Sequence, residues 1–231
     1  MTPSAALSEA RDLLRLPTVR IEMSGDARAR ELFRAFTRRH ARWRIIQNRA
    51  WGVALLEIPA SQDAYEEILS RHWRRQIKLA RKAGIVCRPI APLDHIAEIL
   101  AINQSRPARQ GQAIHPDYLD AGRVREFFDA PTDAMGAFDT EGMLRGYLTT
   151  RTCGDVVVLE RVLGHADALA TGMMYLLFSA VVADLTERRA AGRSARWFMY
   201  DSFTGATPGM RAFKTVVGFR PYRVRWSWRG A

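Results

Sequence analysis

Cysteine is scarce in this sequence, with two residues in 231, Cys87 and Cys153. Two thiols this far apart build no disulfide framework and have no metal-ligand spacing, so both read as free, buried thiols. Histidine is equally thin. His40, His72, His95, His115 and His165 are scattered, no two of them stand at metal-ligand spacing, and each reads as a surface or satisfied side chain. Long apolar runs are missing too. No stretch reaches the roughly 20 residues that span a bilayer. The first 16 residues are interrupted by Glu9, Arg11, Asp12 and Arg15 rather than forming a signal-peptide core. A reducing cytoplasm is therefore the expected location, with no membrane span. There is no internal repeat and no low-complexity tract.

What is present is core material and positive charge. Hydrophobic residues make up 48% and charged residues 26%, an ordinary globular composition. The 35 Lys and Arg against 24 Asp and Glu give a net charge of +11, which attracts polyanions such as RNA, anionic lipid, an acidic carrier protein or a phosphorylated ligand. An arginine-rich, GC-rich genome accounts for the same excess without any partner.

The chain alternates helical and strand patterns. Helices are expected over 8–16, from Gly25–Asp26 to about His40, from Ser61 continuously to Gly84, over 93–103, over 115–129, over 173–185 and over 208–217. Strands are expected over 18–23, 43–47, 51–58, 86–90, 196–201 and 219–228, with an antiparallel meander over 134–163 turning at 140–142 and 153–155. Residues 105–114 read as a polar loop. The helix after Ser61 carries Tyr65, Trp73, Ile77 and Ala80 on one face and Arg71, Arg74, Arg75, Lys78, Arg81 and Lys82 on the other. That basic face is either solvated or docked on an anionic partner.

Three places hold candidate chemistry. The loop Gly164–Gly172 runs from a nearly all-apolar strand into a helix N-terminus, a setting in which free N–H groups and the macrodipole hold phosphates. There Gly172 permits close approach of the backbone and Thr171 adds a hydroxyl. Glu160 is a lone carboxylate in that strand, either a general base or the ion-pair partner of Arg161 or a neighbouring arginine. Asp201 ends the strand before the loop 202–208, either a catalytic group at a strand end or a capping and turn residue.

Four segments carry a resemblance to a known family: Trp51–Pro59, Tyr65–Gly84, Gly142–Leu148 and, above all, Gly209–Val224 with its Phe-Lys and later Gly-Phe. Together they resemble the GNAT acyltransferase superfamily, closest to its Fem-type aminoacyltransferase and Fem-like branch, over roughly residues 50–228. The resemblance implies an α/β (α+β) fold with a mixed, mostly antiparallel central sheet flanked by helices. Residues 1–50 would be an N-terminal elaboration on a domain of residues 51–231. It implies an acyltransferase acting on an amine, with no permanently bound cofactor. Lys214 stands where ordinary GNAT enzymes often have a tyrosine acid, which implies a cation that holds a phosphate or protonates a leaving group. Backbone N–H groups of Val162 and Leu163, beside Gly164, would polarise the donor carbonyl where the central strand splays from its neighbour. Asn103, Arg106 and Arg109, in the link before Gln112, would hold the acceptor. The acyl-CoA signature of typical members (Gln or Arg, two residues, Gly, any residue, then Gly or Ala) is absent from 164–172. The donor thus extends beyond acetyl-CoA to a longer acyl-CoA, an acyl-carrier thioester or an aminoacyl-tRNA. An acidic carrier protein or tRNA would dock on the basic helix 71–82. Alternatives that remain are a basic RNA- or membrane-binding module and a catalytically idle GNAT-like partner protein.

Overall fold

The computed structural model describes residues 13–41, 46–106, 108–109, 112–193 and 195–230. Ten strands are found: β1 Thr18–Met23, β2 Val53–Glu57, β3 Val86–Pro89, β4 Ala108–Arg109, β5 Gln112–Ala113, β6 Asp133–Phe138, β7 Leu144–Cys153, β8 Val156–Gly164, β9 Trp197–Ser202 and β10 Arg220–Trp228. The α-helices are α1 Ala27–Thr37, α2 Gln62–Ile68, α3 Arg71–Lys82, α4 Ile96–Gln104, α5 Ala121–Asp129, α6 Met173–Ala190 and α7 Pro208–Val216. Eight strands form one sheet in the order β1-β10-β2-β9-β8-β7-β6-β3. Its pairings are mostly antiparallel, with β1–β10 and β8–β9 parallel. This is the mixed α/β class that the sequence implied.

The chain divides into two units, and β7 and β8 run from one into the other. The first comprises the described residues of Met1–Ile58, Thr152–Val158 and Ser194–Ala231. Its core gathers Ile21, Met23, Phe36, Val53, Val156, Val158, Trp197 and Met199. Alternation explains the strand members of this set, because every second side chain of a strand faces the same way, and Phe36 joins them from α1. β1 lies parallel to β10 from Thr18↔Arg223 to Met23↔Trp228, which ties the N-terminal strand to the C-terminal one.

The second unit comprises Pro59–Arg151 and Leu159–Arg193. Its core includes Ile96, Ile99, Ile102, Val124, Phe128, Phe138, Leu144, Tyr147 and Leu163. Here α3 buries Trp73, Ile77 and Ala80, and the Trp73 indole donates to the Tyr175 carbonyl of α6 at 3.0 Å. α6 is apolar nearly all round and buries Met173, Leu176, Leu177, Phe178, Val181, Val182 and Leu185.

Several expectations need correction. The continuous helix from Ser61 to Gly84 is two helices, because Ser70 adopts an extended backbone and its hydroxyl caps α3 by accepting from Trp73 N at 3.1 Å. Arg74 then reaches back to the Leu69 and Glu66 carbonyls at 3.1 and 2.7 Å, satisfying the C-terminal end of α2. The helix over 93–103 begins as a 3-10 turn, Pro92–His95. The one over 115–129 is a 3-10 turn, Pro116–Tyr118, and then α5, restarted by Asp120, which accepts from Arg123 N at 2.8 Å. The loop 105–114 contains the small hairpin β4–β5. α6 runs on to Ala190, five residues past the expected end. The helix expected over 8–16 and the strand over 43–47 fall largely on residues 1–12 and 42–45, outside the described ones.

Candidate functional site

In the second unit the end of β8 is built around a methionine. A Cβ on Gly164 would meet Met173 Cε at 2.7 Å, and one on Gly146 would meet the same methyl at 2.8 Å. The two glycines thus leave the notch that seats Met173, the fully buried first residue of α6. Between β8 and α6 lies a 3-10 turn, Ala166–Thr171. His165 opens it, its own N–H donating to the Arg145 carbonyl at 2.7 Å. Ser105 Oγ accepts from Ala166 N at 3.1 Å and donates to the Ile102 carbonyl at 2.7 Å, tying the end of α4 to this turn.

The residues assigned to a donor pyrophosphate are partly committed elsewhere. Gly172 has φ +81, and a Cβ there would stand 2.5 Å from the Gln76 carbonyl of α3. The close approach it permits is therefore to a neighbouring helix. The Thr171 hydroxyl donates to the Ala168 carbonyl at 2.7 Å. Val162 is half-buried, and Leu163 and Gly164 are buried. β8 pairs with β9 over Val156–Val158 and Trp197–Met199, so Val162 and Leu163 lie beyond that ladder.

The Glu160 side chain is 3% exposed and lies 3.2 Å from Arg151 Nε on β7. Its ion-pair partner is Arg151 and not Arg161, because consecutive strand residues point to opposite faces. Arg161 is itself buried. Its backbone N–H donates to Thr149 Oγ1 at 3.1 Å. Its guanidinium carbon lies 3.6 Å from the Phe127 ring centroid, 4.4 Å from Tyr118 and 5.8 Å from Phe128. Sequence reasoning saw Arg161 only as a partner for Glu160 and missed this surround.

Of the residues assigned to the acceptor, Asn103 is fully buried. It donates to the Tyr118 carbonyl at 2.7 Å and accepts from Tyr147 OH at 2.8 Å, which fixes the 3-10 turn against α4 and β7. Arg106 is exposed. The Arg109 side chain lies outside the described residues. The basic residues Arg71, Arg74, Arg75, Lys78, Arg81 and Lys82 of α3 are all exposed. A groove of about 820 Å³ runs beside Arg71, His72, Arg74, Arg75 and Lys78.

The first unit holds the other two assigned groups. Lys214 of α7 is 3% exposed, and its Nζ donates to the Ser202 carbonyl at 2.6 Å and the Tyr200 carbonyl at 3.0 Å, 4.4 Å from the Tyr200 ring centroid. Burial pushes its ammonium down to about 8, partly offset by the Asp201 carboxylate. Asp201, between those two carbonyls in sequence, has φ +44 and pairs with Arg49 Nε at 2.5 Å. A non-glycine residue in that region is strained, and Lys214 and Arg49 hold it there. Asp201 thus lies within β9, at the irregularity between the Val53↔Ser202 and Leu55↔Met199 pairs rather than at the strand end expected, and its carboxylate is engaged by Arg49.

Among the described residues no three His, Cys, Asp or Glu side chains are grouped to hold a metal ion, and no helix is long and apolar enough to cross a membrane. No family model matches the sequence, and no curated protein matches it. Solved structures do. FemX superposes with a TM-score of 0.55 at 11% identity, covering 74% of this chain and 59% of FemX. A conserved protein of unknown function from Bacteroides thetaiotaomicron superposes at 0.53 and 12% identity, covering 73% of this chain and 56% of its own. A tandem GNAT protein from the clavulanic acid pathway reaches 0.45 at 15% identity, over 74% of this chain and half of that one. The matched part of the chain thus spans less than two thirds of each. The fold of this chain is shared with FemX over 74% of its length.

Proposed function

We propose that this chain transfers an acyl or aminoacyl group from a thioester or ester donor to an amine. The observation that supports this reading is the fold shared with FemX over 74% of the chain. In such a transfer the acyl C–S or C–O bond breaks as a C–N bond forms, and the amine gives up a proton. The backbone N–H groups of Val162 and Leu163 are the donors we assign to the carbonyl oxygen, where a fixed dipole stabilises developing charge. Glu160, two residues before Val162, is the carboxylate we assign to the amine proton, with Arg151 orienting it. Gly172 and Thr171 shape the start of α6, and the donor class follows from the charge of α3 instead. Its exposed cations and groove suit a donor delivered on a polyanion, an aminoacyl-tRNA or an acidic carrier protein.

That same groove favours a second reading, a basic module that binds RNA without turnover. Thermal unfolding of the purified protein with CoA, acyl-CoA, acyl-carrier protein and charged tRNA separates the two. The transferase reading expects a shift with at least one acylated donor that exceeds the shift with its deacylated form. Equal shifts with charged and uncharged tRNA, and none with thioesters, would replace it with the binding module.

A further inference from the structure

Arg161 is a buried cation with no counter-charge against it among the described residues. It is 7% exposed, and its Nη1 is enclosed with no hydrogen-bond partner. The carboxylate next to it in sequence is turned to the other face and held by Arg151. What surrounds the guanidinium is aromatic: Phe127, Tyr118 and Phe128, with centroids at 3.6, 4.4 and 5.8 Å.

Ring faces satisfy the flat faces of a guanidinium, whereas its N–H donors point outward in the plane. The acceptor that is missing therefore belongs at the edge, in that plane. Enclosing a cation among rings with no such acceptor is unfavourable, so the arrangement is primed for an anion. The rings over it reach the surface, because Tyr118 and Phe127 are half-buried. The floor is fixed, since Asn103 clamps the Tyr118 backbone and Tyr147 OH clamps Asn103.

We propose that Arg161 receives the carboxylate of a small-molecule ligand entering past Tyr118 and Phe127. A carboxylate is flat, pairs in plane with a guanidinium, and carries the single charge that matches the one buried cation.

The test uses the full chain with no acyl donor, and acetate as the probe. Thermal unfolding is followed in sodium acetate, phosphate and chloride at equal ionic strength, together with broadening of the acetate methyl resonance. Wild type is expected to show a saturable acetate shift and broadening that Arg161→Gln lacks and that Arg161→Lys shows with at least tenfold weaker affinity. Equal acetate responses in wild type and Arg161→Gln overturn the proposal, as does a larger stabilisation by phosphate than by acetate. Should Arg161→Gln fail to fold, Arg161→Lys decides, and a wild-type-like acetate affinity in it overturns the proposal. A protein that binds acetate through Arg161 but transfers no acyl group keeps this site and loses the transferase reading. A transferase indifferent to acetate does the reverse.

Discussion

Replacing Lys214 by methionine should remove a pH dependence of stability that is written into its burial. The folded ammonium releases its proton at about 8 against an ordinary 10.5, so between those values the unfolded chain carries a proton that the folded chain does not. Stability then rises with pH by up to about 1.4 kcal/mol per pH unit. Titration is gradual, so the gain from pH 8 to pH 9 is about 1 kcal/mol. Two groups oppose it, one from about pH 8 and the other above about pH 9. Burial pushes the Cys87 thiol up to about 12 from 9.0 and pushes the Tyr65 hydroxyl well above 10. Each stays protonated in the fold after the unfolded chain has lost the proton, which lowers stability as pH rises. Cys87 contributes equally to wild type and Lys214→Met, so the difference between their curves over pH 8 to 9 isolates Lys214. The assay is urea unfolding of wild type and Lys214→Met at half-unit steps. Methionine also removes the hydrogen bonds that Lys214 donates to the Tyr200 and Ser202 carbonyls, which lowers the whole curve but adds no slope. Parallel curves for the two proteins across pH 8 to 9 would refute the reasoning.

Ser70→Ala removes the cap that separates α2 from α3 and should cost about 1 kcal/mol in urea unfolding. Gly172→Ala must hold φ +81 and bring its Cβ to 2.5 Å from the Gln76 carbonyl; a loss of about 2 kcal/mol or more is expected, read the same way. Arg151→Met strands the buried Glu160 carboxylate and should cost about 3 kcal/mol, while the double variant Arg151→Met/Glu160→Gln recovers much of that by thermal melting. In the transferase reading Glu160→Gln also lowers kcat about a hundredfold or more with KM little changed. A proportionate fall in folded fraction alone would assign the carboxylate to structure only.

Elements whose pattern is carried by burial on one or both faces were legible in the sequence. β8 announces itself as an apolar run and α6 as a helix apolar all round, and the alternation of Val19 and Ile21 gives β1. The break at Ser70 was not legible, because Tyr65, Ile68, Trp73, Ile77 and Ala80 keep helical spacing across it, and a serine is as compatible with a helix surface as with a cap. The cause sits in the Arg74 side chain folding back on α2, a tertiary choice. At the site, the strand period itself argued against a Glu160–Arg161 pair, and Arg151 was accessible by pairing β7 with β8. The aromatic surround of Arg161 needed the packing of α5, and Asn103 offered no sign that its amide would be consumed by Tyr118 and Tyr147. Lys214 was legible as unusual through the Phe-Lys and Gly-Phe spacing, but its anchoring of the β9 backbone on either side of Asp201 needed the β9 geometry.

The most direct measurement of the central claim is donor cleavage. Release of free thiol from an acyl-CoA and an acyl-carrier protein, and of uncharged tRNA from an aminoacyl-tRNA, is followed with and without a mixture of amino acids as amine acceptors. The account predicts that one donor is consumed faster than its spontaneous hydrolysis, only in the presence of amines, with the acyl group found by mass spectrometry on the amine nitrogen. Folded protein that accelerates none of the three donors under any of these conditions would contradict it.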